Sequence, residues 1–346
     1  MSANDEPATT VTIPDLNAMV FSIFRHAGVS EAQARSLARI IVAGERDGCK
    51  SHGIYRIEGL LRTLGAGKVN PQAGPRLTDD GSGVIRIDAD GGFSTHAFEI
   101  AAPLLAERAH HLGIAALAIN NCTHFSALWP EIETLCAHGV AALAMCPSYS
   151  TVAPAGGREA LLGTNPLAFG WPRPGGAPYV FDFATSTVAR GEIELHRRSG
   201  TPLPEGWAVD AGGRPTTDPD AALAGALLPF GGHKGSAIST MIELLAGAMI
   251  GDLTSPEARD YLGSMDLLPH HGELLIAMSP ERFAAGRPGD PFARAETLLN
   301  AIAGQGARLP SQRRFAARAV AERDGITLSA DEMARLDDML KQVRNR

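Results

Sequence analysis

The chain has 346 residues, of which 45% are apolar, and a formal net charge of −7 at pH 7. This length and apolar content are enough for a sizeable buried core, in two compact regions or in one large α/β domain. The acidic balance lacks the basic surface on which nucleic-acid binding depends, so it argues against that partner and favours a small-molecule substrate.

Several features bear on where the protein works. Residues 1–10 are polar and acidic and lack the charged-then-apolar pattern of a signal peptide. No apolar run reaches the ~20 residues that a membrane span needs. Cys49, Cys122, Cys136 and Cys146 have neither Cys-x-x-Cys spacing nor paired histidine ligands nearby in sequence. We therefore predict free thiols, no metal site and a cytoplasmic location.

Helical patterns begin the chain. Ser30 followed by Gln33 has the pattern of a capping box, and apolar residues at helical spacing come after it. A further helix is predicted from Ser51 to Leu64, ending at a glycine pair. These helices form a predicted amino-terminal helical segment, residues 1–80.

From about residue 82, predicted strands alternate with predicted helices. This alternation predicts an α/β core, residues 81–305, with at least some parallel strand pairing. The last of these helices has Glu243 as its only charge, which predicts burial on most of its faces. The predicted strands are 84–87, 114–119, 140–145, 179–183 and 273–278, and the predicted helices are 95–111, 131–138 and 235–250.

Two more elements complete the chain. Residues 200–220 are rich in glycine and proline, which predicts a long surface loop. The last helix is predicted to begin at a capping box of Ser329 and Glu332 and to end in basic residues. It belongs to a carboxyl-terminal helical segment, residues 306–346, expected to pack with the amino-terminal one.

The first candidate site is the segment Ser51-His52-Gly53-Ile54-Tyr55-Arg56. In a helix, His52 and Arg56 would share a face, and Ser51 could cap the helix or hydrogen-bond near the imidazole. An imidazole for proton transfer beside a guanidinium for a carboxylate is what a reductase of 2-oxo or 2-imino acids requires. The alternative is an ordinary helix start with a capping serine and solvated charged side chains.

Further candidates lie where predicted strands end or helices begin. Residues 120–128 follow a strand and lead into a helix, where backbone N–H groups can hold phosphate. Asp182 could orient a ligand or cap the next helix. Residues 229–235 place glycines and Lys234 at a helix start, where the lysine can face an anion. The alternatives are an ordinary loop, cap and turn.

No standard nucleotide-binding fingerprint accompanies these segments. Gly65-Ala66-Gly67 lacks the third glycine of a Rossmann motif and follows a predicted helix. Residues 229–235 do not have the spacing of a P-loop. A nicotinamide cofactor therefore needs another binding architecture.

Five segments, in this order, resemble the malate/L-lactate dehydrogenase family of the non-Rossmann kind, which includes L-sulfolactate and ureidoglycolate dehydrogenases. The resemblance runs from about Ile13 to Arg314. It implies an α/β, sulfolactate dehydrogenase-like non-Rossmann fold with a mixed sheet core and helical termini, and a homodimer. The segments are Ser-His-Gly-x-x-Arg at 51–56, Thr-His-Phe at 123–125, Gly-Thr-Asn-Pro at 163–166, Asp-Phe-Ala-Thr-Ser at 182–186 and Gly-His-Lys-Gly at 232–235.

Within that family, residues 127–130 and 227–236 look like the branch of Δ1-piperideine-2-carboxylate and Δ1-pyrroline-2-carboxylate reductases. This resemblance implies that NADPH, or alternatively NADH, reduces a cyclic imino acid to L-pipecolate or L-proline. One alternative is an NAD(P)-dependent 2-hydroxyacid dehydrogenase of the malate, lactate or ureidoglycolate type. A more remote alternative is a non-catalytic ligand-binding protein.

The resemblance also implies a role for individual residues. His52 would be the acid/base, Ser51 its relay partner and Arg56 the clamp on the substrate carboxylate. Glu192 occupies the position of a relay aspartate in the reductases, and its alternative is a solvated helix residue. The implied dinucleotide contacts are His124, Phe125, Ser126, Ala127, Leu128, Thr164, Asp182, Phe183, Ala184, His233, Lys234, Gly304, Arg308 and Pro310.

Overall fold

Helices and strands alternate along most of the chain in the computed structural model, which describes residues 8–345. The first seven residues, to which most of the signal-peptide prediction applies, lie outside the described residues. The helices are α1 Ile13–His26, α2 Glu31–Arg46, α3 Arg56–Gly65, α4 Ser94–Leu112, α5 Trp129–Ala137, α6 Arg190–Ser199, α7 Pro219–Ala224, α8 His233–Glu243, α9 Ser255–Leu262, α10 Pro280–Ala284, α11 Pro291–Gly304, α12 Gln312–Asp324 and α13 Ala330–Arg344. The strands are β1 Thr9–Val11, β2 Arg76–Thr78, β3 Val84–Asp88, β4 Ile114–Thr123, β5 Ala141–Met145, β6 Leu167–Trp171, β7 Tyr179–Phe183, β8 Ala208–Val209, β9 Pro215–Thr216, β10 Ala226–Leu227, β11 His270–Met278 and β12 Ile326–Leu328.

The core is a seven-stranded mixed sheet with the strand order β2-β3-β4-β11-β5-β6-β7. Strands β3 and β4 are parallel, and helix α4 makes the crossover that a parallel pair needs. The other neighbouring pairs are antiparallel. Apolar side chains of the sheet, such as Leu117 and Leu275, pack in one cluster with Phe98 of α4 and Ile132 of α5. The predicted mixed sheet with some parallel pairing is confirmed.

The two ends of the chain pack together beside this sheet. Strand β1 pairs antiparallel with β12, and one apolar cluster joins Leu16 of α1, Ile41 of α2 and Leu336 of α13. The capping box of Ser329 and Glu332 at the start of α13 is present with both of its hydrogen bonds. Helical termini are thus confirmed, while the division into three segments stays a prediction.

The expected loop at 200–220 is wrong in part, because short strands β8 and β9 form a hairpin there. Leu203 and Ala208 are buried, and they belong to an apolar cluster with Val152 and Ile193. Gly213, with φ of 75°, adopts the left-handed conformation in the hairpin turn. Strands of two residues are too short to leave an alternating pattern in the sequence.

The predicted burial of the 235–250 helix is also wrong. Helix α8 begins at His233 and continues into a π-helical turn, Leu244–Met249. Met241, Leu244 and Met249 are 38%, 58% and 61% exposed. A lack of charge predicts an apolar face, but it does not say whether the same chain covers that face.

Two expectations about the protein's surroundings can be compared with the structure. All four cysteines are free, and Cys122, Cys136 and Cys146 are buried. Among the residues that the structure describes, no helix combines the length and the apolar content needed to cross a bilayer.

Candidate active site

The segment carrying His52 is a tight turn, not the beginning of a helix. After α2 the backbone makes a 3-10 turn over Lys50–His52, and α3 begins only at Arg56. The predicted helix start at Ser51 is therefore wrong. Gly53 causes the break, because its φ of −91° and ψ of −142° are incompatible with a continuing helix. His52 and Arg56 nevertheless meet, with 3.5 Å between Nε2 of the histidine and Nη2 of the arginine.

The contacts of the His52 ring favour one tautomer. Arg56 has only N–H donors, so the Nε2 atom facing it must be the acceptor. The proton of the neutral ring then resides on Nδ1, which lies 3.0 Å from Ser51 Oγ and donates to it. This arrangement matches the predicted pairing of Ser51 with His52 and leaves the Nε2 lone pair directed toward the guanidinium.

Burial and charge keep the imidazole neutral. Burial lowers the pKa of His52 to about 3, and the positive charge of Arg56 adds to this effect. Burial also lowers the pKa of Arg56, whose Nε donates to Ser51 O at 2.7 Å. Within residues 8–345 no carboxylate forms an ion pair with Arg56. A half-buried guanidinium in this state is suited to bind an anion.

A buried carboxylate of α2 supports the turn from behind. Glu45 Oε1 accepts the N–H of Ile54 at 2.8 Å, and its Oε2 lies 3.1 Å from Lys50 Nζ. Lys50 also contacts Glu332 of α13 at 3.1 Å. The turn packs so closely on Glu45 that a Cβ at Gly53 would lie 2.0 Å from Oε1. Both flanks of His52 are therefore attached to the helical termini.

Asp182 connects the end of β7 to the start of α5. Its Oδ2 accepts the N–H groups of Leu128 at 2.8 Å and Trp129 at 3.0 Å. Asp182 thus caps a helix, but not the next helix along the chain as one sequence alternative expected. Burial raises the pKa of Asp182 to about 6, against the lowering effect of these two N–H groups.

Three of the predicted cofactor segments lie side by side at this end of the sheet. Thr185 donates to Thr164 O through its N–H at 2.8 Å and through its hydroxyl at 3.1 Å. Phe230 N–H donates to Thr185 O at 3.0 Å, and the Phe230 ring meets the Phe183 ring edge-on at 5.6 Å. The structure therefore brings together the segments at 163–166, 182–186 and 229–235.

The carboxyl-terminal segment reaches the same strand. Ser311 Oγ donates to Val180 O of β7 at 2.6 Å. This contact places the stretch before it close to the sheet, with Gly304 and Arg308 exposed and Pro310 half-buried.

Other predicted contacts differ in their exposure. Ala184 is half-buried, whereas His233 and Lys234 are exposed at the start of α8. Glu192 is exposed in the first turn of α6, and no hydrogen bond or ion pair joins its side chain to Ser51 or His52 in the part of the chain described. Its role in the relay stays a prediction.

The loop at 124–128 presents mainly backbone. His124 turns its ring inward, with Nδ1 3.9 Å from Cys146 Sγ and Nε2 3.6 Å from Glu273 Oε2. Phe125 packs edge-on against Phe93, and the side chains that follow it are buried as well. Any ligand of this loop would therefore meet peptide groups before side chains. The remaining buried residues of the loop are Ser126, Ala127 and Leu128.

Sequence reasoning missed the support beside His52. The Trp129 ring meets the His52 ring edge-on at 6.2 Å, and its Nε1 donates to Asp47 Oδ2 at 3.2 Å. Arg314 lies over the Trp129 ring, with its Cζ 5.0 Å from the ring centre, and it also donates to Asp47. The tryptophan served only as a family marker in the sequence, although its position directly after the candidate loop was a usable signal.

The chain is similar throughout its length to known proteins. A family model described as malate/L-lactate dehydrogenase matches residues 11–337. A Δ1-pyrroline-2-carboxylate reductase of Agrobacterium fabrum is 68% identical over 335 residues, which cover 96% of this chain and 97% of the relative.

Solved structures extend this similarity to the fold. The Δ1-piperideine-2-carboxylate reductase of Pseudomonas syringae has a TM-score of 0.91 at 42% identity, covering 96% of this chain and 99% of that one. The sulfolactate dehydrogenase of Methanocaldococcus jannaschii has a TM-score of 0.83 at 26% identity, covering 97% of each chain. The predicted sulfolactate dehydrogenase-like fold is confirmed.

A methyl group at Gly53 should destabilise the turn around His52. Because the new Cβ would overlap the Glu45 carboxylate, Gly53→Ala is expected to lower the free energy of unfolding by about 1–3 kcal/mol in urea titrations. Gly65→Ala is the matched control, since no atom of the described residues lies within 4 Å of a Cβ there. Equal stability of both variants would contradict the close packing of the turn on Glu45.

The charge of Arg56 should be visible in the titration of His52. Because burial and Arg56 both lower the pKa of this imidazole, NMR should show neutral His52, protonated on Nδ1, from pH 8 down to about pH 5. Arg56→Met removes the positive neighbour and should raise the pKa. A midpoint near the ordinary histidine value in both proteins would refute this account.

Proposed function

The chain belongs to the malate/L-lactate dehydrogenase family, and on this basis we propose that it reduces cyclic imino acids with a nicotinamide cofactor. The substrates are Δ1-pyrroline-2-carboxylate, reduced to L-proline, and Δ1-piperideine-2-carboxylate, reduced to L-pipecolate. The observation that carries this proposal is the guanidinium of Arg56, half-buried with no acidic partner among the described residues and next to the neutral Nε2 of His52.

Arg56 and His52 would bind different parts of the substrate, its carboxylate and its ring nitrogen. Arg56 binds the carboxylate next to C2, and this ion pair fixes the ring beside His52. His52 Nε2 accepts a hydrogen bond from the N–H of the protonated imine, because its own pKa is too low for it to carry a proton in the free enzyme. A substrate that arrives protonated at nitrogen needs no further proton, since adding a hydride, which is one proton with two electrons, at C2 of the iminium yields the neutral amine.

The chain offers suitable groups for a dinucleotide. When bound, the reduced nicotinamide supplies the hydride for C2. Lys234 and Arg308 are exposed cations on the segments that adjoin β7, and they would hold phosphate groups. The backbone of residues 124–128 would hold the nicotinamide half. If one of these cations holds the diphosphate that both cofactors share, the other is available for the additional phosphate of NADPH, which NADH lacks.

The proposal includes a homodimer in the cytoplasm. Met241, Leu244 and Met249 expose apolar surface on one helix, which a second copy of the chain would cover. The four free cysteines fit a reducing compartment. Size-exclusion chromatography with light scattering measures the oligomeric state directly, and Leu244→Lys should shift it toward the monomer.

A substrate panel tests the reaction class. Purified protein should oxidise NADPH with Δ1-pyrroline-2-carboxylate and Δ1-piperideine-2-carboxylate, and more slowly with NADH. Pyruvate and oxaloacetate test the alternative, in which His52 acts on an oxygen atom in place of a ring nitrogen. Turnover of the oxo acids alone would overturn imine reduction in favour of a hydroxyacid dehydrogenase.

Removal of the carboxylate clamp should weaken productive substrate binding. Arg56→Ala is expected to raise KM for the imino acid and to lower kcat/KM, because a desolvated ion pair is lost. The expected fall in kcat/KM corresponds to a loss of about 2–4 kcal/mol of transition-state stabilisation. Arg62→Ala on the same helix is the control, since among the described residues this exposed arginine forms its ion pair with Glu58 alone. An Arg56→Ala effect below about threefold would exclude the clamp.

The catalytic imidazole should be separable from cofactor binding. His52→Ala is expected to lower kcat strongly, because the N–H of the protonated imine loses its acceptor, and to leave NADPH affinity, measured by fluorescence titration, nearly unchanged. An undiminished rate would remove His52 from the mechanism.

A further inference from the structure

Two glutamates that the proposed reaction does not use are buried behind the loop at 124–128. Glu131 of α5 is 1% exposed and Glu273 of β11 is 0% exposed. No N–H or hydroxyl group of the described residues donates to any of their four carboxyl oxygens. The Nε2 atom of His124 is also without a hydrogen bond and points at the pair, 3.6 Å from Glu273 Oε2. One atom from each of these three side chains lies within 4.8 Å of the other two.

Both glutamates cannot be ionised at this separation. Two negative charges about 4 Å apart repel each other by about 4 kcal/mol even at an effective dielectric constant of about 20. Burial raises the pKa of Glu131 well above its ordinary value and that of Glu273 to about 7. Arg39 opposes this for Glu131 only in part. The cluster therefore needs one positive charge that no side chain contacting it supplies.

We propose that Glu131 and Glu273 share one proton and together hold His124 in a single orientation. The hydroxyl of protonated Glu131 donates to the Glu273 carboxylate, and His124 Nε2–H donates to Glu273 as well. The Nδ1 atom of His124 then accepts the S–H of Cys146, whose sulfur lies 3.9 Å away. This arrangement gives a partner to each group of the cluster that burial leaves without one.

The environment of the pair is consistent with a neutral His124. Burial lowers the pKa of this imidazole well below its ordinary value, and His271, His52 and Arg56 act in the same direction. In the proposed state the two glutamates therefore carry one proton between them, and the His124 ring is neutral. The titratable and charged groups of the described residues that face it are Arg39 of α2, His52 of the tight turn, Arg56 of α3, Cys122 of β4, Cys146 after β5, Asp182 of β7 and His271 of β11.

This arrangement makes Glu131 and Glu273 positioning residues for the cofactor loop, a step that rests on the proposed function. Both ring nitrogens of His124 are committed to the interior, so the loop offers its peptide groups to a dinucleotide and not this imidazole. Helix α5, which contains Glu131, also begins with the Trp129 that contacts His52. A change at the pair should therefore affect cofactor binding before it affects the chemical step.

A divalent cation is the competing occupant, because imidazole, carboxylate and thiolate groups at these distances are also metal ligands. The proton and the cation differ in two measurements. Infrared difference spectra between the wild type and Glu131→Gln at pH 7 should show the carbonyl stretch of a buried protonated carboxyl group. Metal analysis after dialysis against a chelator should find no stoichiometric ion. A missing carbonyl band, or one retained ion per chain, would overturn the shared proton.

Kinetics test the positioning role with matched variants. Glu131→Gln keeps a donor toward Glu273 and should leave the KM for NADPH within about twofold of the wild type. Glu131→Leu removes the donor and should raise that KM about tenfold, equivalent to about 1.4 kcal/mol, with kcat changed much less. Glu107→Gln, an exposed change on α4, is the control. Equal KM values for the leucine and glutamine variants would refute the positioning role.

NMR of the wild type covers the case in which Glu131→Leu does not fold. His124 should be neutral and protonated on Nε2 at pH 7, and any other tautomer would contradict the proposed hydrogen bonds. If the infrared and NMR results hold but no imino acid is reduced, the shared proton stands and the proposed function fails. If imino acids are reduced but the carbonyl band is absent, the proposed function stands and the shared proton fails.

Discussion

The carboxylate of Asp47 is the interaction on which the geometry of the site depends. This side chain is completely buried at the end of α2, where it pairs with Arg46, Arg314 and Arg318 and accepts the Nε1–H of Trp129. Burial by itself would raise the pKa of Asp47, but the hydrogen bonds from Arg318 and Arg46 hold it below its ordinary value. A buried carboxylate with this many donors is ionised and joins α2, α5 and α12 at one point.

Trp129 connects the Asp47 carboxylate to the turn that carries His52. Asp47 holds the indole N–H and Arg314 covers the ring face, so the edge of Trp129 that meets His52 has little freedom to move. Glu133 binds the same two arginines of α12, which attaches the next turn of α5 to the carboxyl-terminal segment. The helical ends of the chain therefore have a mechanical role, because they form the support against which the turn carrying His52 is packed. Breaking a buried ion pair by removing one partner costs about 3–5 kcal/mol of folding free energy, because the other charge stays buried without compensation.

Local patterns in the sequence predicted what local contacts determine. Ser329 and Glu332 form their capping box, and His52 and Arg56 meet although the helix between them was misplaced, since a tight turn followed by a helix start also brings residues four apart together. Ser30 caps α2 as predicted, but Gln33 does not complete the box and instead binds backbone carbonyls at Asn70 and at the residue after it.

Contacts between distant segments were not predictable in this way. Asp182 caps a helix that begins more than fifty residues earlier, and Asp47 bonds to Trp129 from 82 residues away. A single aspartate in a sequence predicts a nearby cap, because no periodicity marks a partner on another element. His124 illustrates the same limit. Its position in a loop after a strand favoured a ligand contact, whereas the carboxyl group that attracts its ring belongs to β11.

The charges around the site form one electrostatic arrangement. Arg56 has no ion-pair partner among the described residues, and His124 lies close enough to Arg56 and His52 for both to influence its pKa. If Glu131 and Glu273 were both ionised, two negative charges beyond His124 would raise the pKa of His52 and compete with a substrate carboxylate for the field of Arg56. A proton shared by the glutamates leaves a single negative charge there, already engaged by His124. With the shared proton, the buried acids and the Arg56 guanidinium can lie near each other, because the acids carry one negative charge in place of two.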